Sequence, residues 1–228
     1  MHVLDGQGVI QLIDFTGSDK TIVNAARVSY DADTTDELIA RDTKLIAYLI
    51  DNMHTSPFEH VTFTFHVKAP IYIARQWMRH RTWSFNEVSA RYTSQEETQA
   101  YLPRVYRSQA KDNKQMSGTA LEASVNDKAR EIMDLVTSNA IDMYAELLRL
   151  GVAREMARAI LPQAMFTRFY ATVDLHNLMH FITLRAHHHA QNEIQEYARA
   201  MFKHMRSVTP VTAALYRERR PYLDLPDD

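Results

Sequence analysis

Residues 79–91 hold three arginines, a histidine, a glutamate, an asparagine and two serines in one short stretch. Guanidinium groups present planar forks of donors that grip phosphates and carboxylates through paired hydrogen bonds. Arg79 and Arg81 flank His80 directly after the largely apolar residues 71–78, so these forks are delivered at the end of a packed element. Glu87, Ser89 and Arg91 alternate with Val88 and Ala90, and a period of two would put the polar three on one face. Such a face reads a ligand, and the competing reading is a charged, solvated turn.

A further arginine stands apart from this cluster. Leu175, Leu178, Met179 and Ile182 form an apolar stripe at helical spacing, and Arg185 follows Phe181 by four residues, which turns it toward the same buried side. A buried guanidinium is costly unless acceptors compensate it, and either a structural carboxylate or a ligand could do so. His176 and His180 are spaced i, i+4, and His187, His188 and His189 follow. Helical spacing alone does not make ligands converge, so no metal is expected.

Composition narrows the chemistry. Cysteine is absent, which removes disulfides, thiolate metal sites and thiol nucleophiles together. The net charge is -2, yet residues 68–107 carry seven Lys/Arg against three Glu. Local positive charge within a near-neutral chain suits small polyanions better than a groove tracking a nucleic-acid backbone. No basic segment leads into an apolar leader, and no apolar run is long enough to span a membrane, so a cytoplasmic protein is expected.

The elements that position these groups follow from periodicity. Residues 9–15 and 61–68 read as strands, Ser18 as a helix cap, and Thr34, Thr35, Asp36 and Glu37 as a capping box before helix to Asp51. Pro57 is expected to stop that unit, and a helix to begin near Pro70. Residues 94–118 read as a polar loop placed to act as a lid. Residues 119–150 read as a helix whose seam, Ala129, Met133, Val136, Ala140, Met143, Leu147 and Leu150, wants another helix beside it, from the same chain or another subunit. Gly151 ends that helix, a short one runs from 153 to 161, and residues 166–173 form a strand before a mostly helical remainder. The expected fold is a single α/β domain over residues 1–228, with a mixed or antiparallel sheet and long helices.

The pattern R-H-R-x-x-S-x-N-E-x-S-x-R, filled at each fixed position by residues 79–91, resembles the signature of the flavin-dependent thymidylate synthases. The likeness extends through residues 54–60 and 63–70, through Arg154 to Arg158, and through Leu184 to Gln191, and so covers most of the chain. It implies reductive methylation of dUMP to dTMP, with methylenetetrahydrofolate as carbon donor and hydride passing from NADPH through FAD. This chain has no cysteine for the thiolate route of the more familiar thymidylate synthases, and the flavin-dependent family needs none.

Carried over by matched position, Ser56, Glu59, Arg79, His80, Arg81, Glu87, Asp174, His176 and His180 would contact flavin. Gln76, Arg79, Glu87, Ser89, Arg91, Arg158 and Arg185 would hold dUMP, with Arg185 promoting ionisation of the uracil ring. His54 would line the folate or nicotinamide side. His187 departs from the aspartate that many relatives carry. A homotetramer with shared active sites is also implied, and the lack of a G-x-G-x-x-G turn fits flavin held by side chains across an interface. Two rival readings remain: a nucleic-acid-binding module, and a flavin-binding protein without methylation activity.

Overall fold

The computed structural model describes residues 1–28, 38, 40–93, 99–111 and 116–227. Its strands are β1 (His2–Val3), β2 (Gly8–Thr16), β3 (Thr62–Pro70), β4 (Ser84–Glu87), β5 (Arg107–Gln109), β6 (Ser117–Ala120) and β7 (Phe166–Asp174). Its helices are α1 (Asp19–Arg27), α2 (Ala40–Asp51), α3 (Ile71–Trp77), α4 (Ala123–Arg149), α5 (Arg154–Ala157), α6 (Leu175–Arg185), α7 (Asn192–Val208) and α8 (Pro210–Glu218).

Alternation in β3 sets the layers. Phe63, Phe65, Val67 and Ala69 are buried on one face, and the antiparallel register places them beside Val173, Ala171, Phe169 and Thr167 of β7. The sheet runs β1-β2-β3-β7-β4 with antiparallel neighbours throughout, so the described strands resolve the mixed-or-antiparallel alternative toward antiparallel. Helix α7 covers the apolar face with Ile194, Tyr197, Met201, Phe202 and Met205, a stripe at helical spacing. The other face is polar, with Thr64 bonded to Thr172 at 3.0 Å and the His66 ring 5.4 Å from Tyr170.

Several local expectations are met by identifiable bonds. Ser18 caps α1, accepting from the Lys20 amide while Thr21 reciprocates in a capping box. Gly151 takes φ +85° after α4, the left-handed turn that ends helices. Thr34–Glu37 lie outside the described residues.

Three expectations are corrected. Helix α2 has already ended at Asp51, and Pro57 sits in the first turn of a 3-10 helix, Ser56–His60, where its missing N–H costs nothing. Residues 119–120 belong to β6, so the long helix starts at Ala123. Within 94–118 the described residues include a two-stranded ribbon, β5 with β6, tied down by the Arg107–Glu193 ion pair at 2.7 Å. On the α4 seam, Val136, Met143 and Leu150 are more than half exposed, and the buried residues of this helix are Thr137 and Tyr144, neither of them in the seam.

Candidate active site

Trp77, the last residue of α3, is fully buried among Trp83, Phe169, Phe181 and Tyr197, with ring centroids 4.9 to 6.0 Å away. This aromatic knot fixes the turn between α3 and β4 that carries Arg79, His80 and Arg81. Arg79 and Arg81 are exposed, while His80 is only 7% exposed and its amide donates to the Trp77 carbonyl at 2.9 Å. Burial, with Arg185 and His180 nearby, pushes the His80 imidazole pKa down to about 4. His80 is therefore neutral at physiological pH.

Arg185, the last residue of α6, meets this turn from the other side. Its Nε donates to His80 Nε2 at 3.0 Å and its Nη2 to the Gln76 carbonyl at 3.2 Å. Accepting at Nε2 puts the imidazole proton of neutral His80 on Nδ1. Among the described residues no carboxylate pairs with Arg185, which excludes the structural ion pair as its compensation. Half-buried and facing neutral acceptors, the guanidinium keeps an uncompensated positive charge, and burial lowers its pKa. Gln76 is held in turn by its Nε2 donating to Gln191 Oε1 at 2.6 Å.

A second group lies at the far end of β4. Glu87 accepts from Thr167 Oγ1 at 2.5 Å, and both line a cavity of about 200 Å³ together with Val88, Ala90, Arg158 and Phe166. Arg185 is not among the residues lining it. The alternation expected for Glu87, Ser89 and Arg91 is overturned, because β4 stops at Glu87 and the chain turns. Ser89 Oγ instead accepts from the Arg91 amide at 3.2 Å, and exposed Arg91 sits 3.7 Å from Glu155. One chain thus brings together Gln76, His80 and Arg185, and separately Glu87 and Arg158.

The third group surrounds the start of α6. Asp174 caps this helix, with Oδ1 accepting from the Asn177 amide at 2.8 Å and Oδ2 from its side-chain amide at 2.6 Å. His176 and His180, one turn apart, line a cavity of about 190 Å³ with His54 and Thr55. Ser56 and Glu59 follow in the adjoining 3-10 turn, both exposed, and Thr55 Oγ1 donates to Glu59 at 3.3 Å. Among the described residues no metal-ligand cluster includes this i, i+4 pair. A different set converges: ligand atoms of His187, His188 and His189 lie within 4.8 Å of one another in the turn after α6.

A family model described as "Thymidylate synthase complementing protein" (Thy1) matches residues 11–211. A flavin-dependent thymidylate synthase of Thermus thermophilus is 48% identical over 216 residues, 95% of this chain and 77% of the relative. The chain belongs to the flavin-dependent thymidylate synthase family. Another of these synthases, from Treponema denticola, is 45% identical over 94% of this chain and 80% of its own length. Among solved structures, a UMP/dUMP methylase of Streptomyces cacaoi bound with 5-Br dUMP superposes with a TM-score of 0.83 at 36% identity, covering 92% of this chain and 95% of that one. Among the described residues no helix is long and apolar enough to cross a membrane.

Three side chains of these groups escaped sequence reasoning. Thr167, which holds Glu87, reads as an ordinary strand threonine. Gln191 falls inside the matched H-A-Q run, and its bond to Gln76 across 115 residues has no local signal. Arg220 lines the histidine cavity from the end of the chain, where neither motif nor periodicity marks it.

Proposed function

We propose that this chain methylates dUMP reductively to dTMP, with methylenetetrahydrofolate as carbon donor and NADPH-derived hydride delivered by way of FAD. The observation that carries this reading is Arg185, a half-buried cation answered, among the described residues, by a neutral imidazole and a carbonyl. Such a site is left needing an anion, and a pyrimidine ring taking on negative charge supplies one. Arg185 then polarises the ring and raises electron density where the new carbon bond forms. His80 and the Gln76 carbonyl orient the guanidinium without neutralising it.

Glu87, Ser89, Arg91 and Arg158 are assigned to the nucleotide, with the two arginines suited to its phosphate and Glu87 to a hydrogen-bond donor. Arg79 and Arg81 offer exposed forks for the diphosphate of FAD, while Ser56, Glu59, Asp174, His176 and His180 are assigned to its polar groups. Buried aromatic rings behind the turn, and donors of both types around it, fit such a cofactor. Bound FAD supplies the hydride chemistry that no side chain here provides.

The split of the groups over one chain supports an active site assembled from several subunits. The exposed apolar side chains along α4 support a homotetramer in the same way, since a stripe of that size is normally covered. The purified protein should show the absorbance of a non-covalently bound flavin. It should form dTMP from dUMP, methylenetetrahydrofolate and NADPH even after treatment with thiol-alkylating reagents. Absence of dTMP under flavin-replete, reducing conditions would count against the reading, and tight oligonucleotide binding would favour the nucleic-acid alternative.

A further inference from the structure

Two consecutive arginines at the end of α8 have opposite circumstances. Arg219 is neutralised: its Nε and Nη2 form a forked pair with Asp51, the latter at 2.9 Å from Oδ2. Arg220 has no carboxylate partner among the described residues, and its hydrogen bond to the Tyr216 carbonyl, from Nη1 at 3.5 Å, is a long one. Its guanidinium instead lies over the Tyr216 ring, 4.2 Å from the centroid. Stacking of this kind holds the plane while leaving the N–H edges available.

The platform is rigid. Tyr216 is fully buried, and its hydroxyl donates to the Met179 carbonyl at 2.9 Å and lies 2.6 Å from Thr183 Oγ1. Met179 and Thr183 both line the 190 Å³ cavity on which Arg220 opens, so the arginine is positioned by the wall of the cavity itself. The remaining surface combines apolar Phe58 and Met179 with His54, His176 and His180, and no carboxylate lines it. A flat ring can rest on this apolar floor while an attached anion reaches Arg220, the permanent charge among the described lining residues.

We infer that Arg220, stacked on Tyr216, is an anion anchor for a ligand entering the His54–His176–His180 cavity: a planar ring compound bearing a phosphate or carboxylate. The inference rests on the proposed reaction, whose participants of this chemistry are FAD, NADPH and the glutamyl-bearing folate. Arg220 acts in binding and positioning, away from the reacting atoms. Because Arg220 does not line the cavity of Glu87 and Arg158, dUMP recognition should be independent of it.

The test titrates FAD, NADPH and methylenetetrahydrofolate separately into the full-length wild type, Arg220→Gln and Arg220→Lys, at low and high salt. One of the three should bind about tenfold or more weakly to Arg220→Gln, with partial recovery in Arg220→Lys and a shallower salt dependence. The ligand affected identifies which anion the site takes. The KM for dUMP and the melting temperature should stay near the wild-type values. Affinities within about twofold for all three ligands would overturn the anchor, as would equal weakening of all three, which marks a structural role. A wild type that forms dTMP alongside unaffected variants would sink the anchor alone. A wild type that forms none would sink the proposed reaction, while the titrations would still decide whether Arg220 holds an anion.

Discussion

Arg185 and His80 define each other's state. The arginine's charge helps keep the imidazole neutral, and the neutral imidazole in turn leaves that charge undiminished for a ligand. If the charge stabilises negative charge on the pyrimidine, Arg185→Ala should lower dTMP formation by roughly the 10²–10³-fold typical of losing one preorganised donor. FAD content should barely change, and Arg185→Lys should recover little because a point charge does not reproduce a fork spanning two acceptors. Near-normal turnover in Arg185→Ala, or loss of FAD as its main defect, would refute that role. The sign of a pH effect follows from His80. Its folded-state pKa, about 4, lies below the unfolded value of 6.5, so the unfolded chain takes up the proton first. The stability this contributes is complete above about pH 6.5 and is lost as pH falls toward 4. Thermal melts across that range should therefore fall more steeply for wild type than for His80→Gln. Parallel curves would show that His80 is not what destabilises the acidified protein.

At the scale of elements, Asp174 has a task independent of any cofactor, since both its oxygens are occupied at the start of α6. Asp174→Ala should cost about 1 kcal/mol through the lost cap, whereas Asp174→Asn keeps a capping oxygen and should melt close to wild type. Flavin titration of the Asn variant then isolates the contact with the cofactor, and unchanged affinity would leave Asp174 a purely structural residue. Elements whose pattern is set by their own burial were legible. The alternation Phe63, Phe65, Val67 gives β3 away, and Ser18 marks α1, because both signals are local. The signature turn misled for a related reason: Val88 and Ala90 alternate with polar residues, but the Val88 amide makes the last bond to β7, at the Arg168 carbonyl, and then the chain turns. The β5–β6 ribbon was illegible because its two strands are short and carry no apolar alternation, and because its anchor, Glu193, comes from elsewhere in the chain. The chemistry of residues 79–91 could be read from type and spacing, yet that Arg185 would find His80 across 105 residues depended on the way α6 meets α3.

The whole molecule poses the question of how two half-sites become one. Arg185 with Gln76 belongs to the junction of α3 and α6, whereas Arg158 and Glu87 line a cavity between β4, β7 and the turn after α5. We propose that a nucleotide contacting both meets them on different copies of the chain. The apolar side chains exposed along α4, next in space to α5 and the turn holding Arg158, offer the surface on which such copies could pack. Arg185→Ala and Arg158→Ala should each be nearly inactive alone. If the half-sites pair between subunits, dissociating the two variants together and reassembling them creates sites that take Arg185 from one chain and Arg158 from the other. Random assembly would make about a quarter of the sites intact, so the mixture should recover roughly that share of wild-type turnover. With an affinity tag on one variant, its capture together with the untagged one confirms that mixed oligomers have formed, and turnover of dUMP is then read against each variant reassembled by itself. Mixed oligomers no more active than the separate variants would mean that each chain completes its own site.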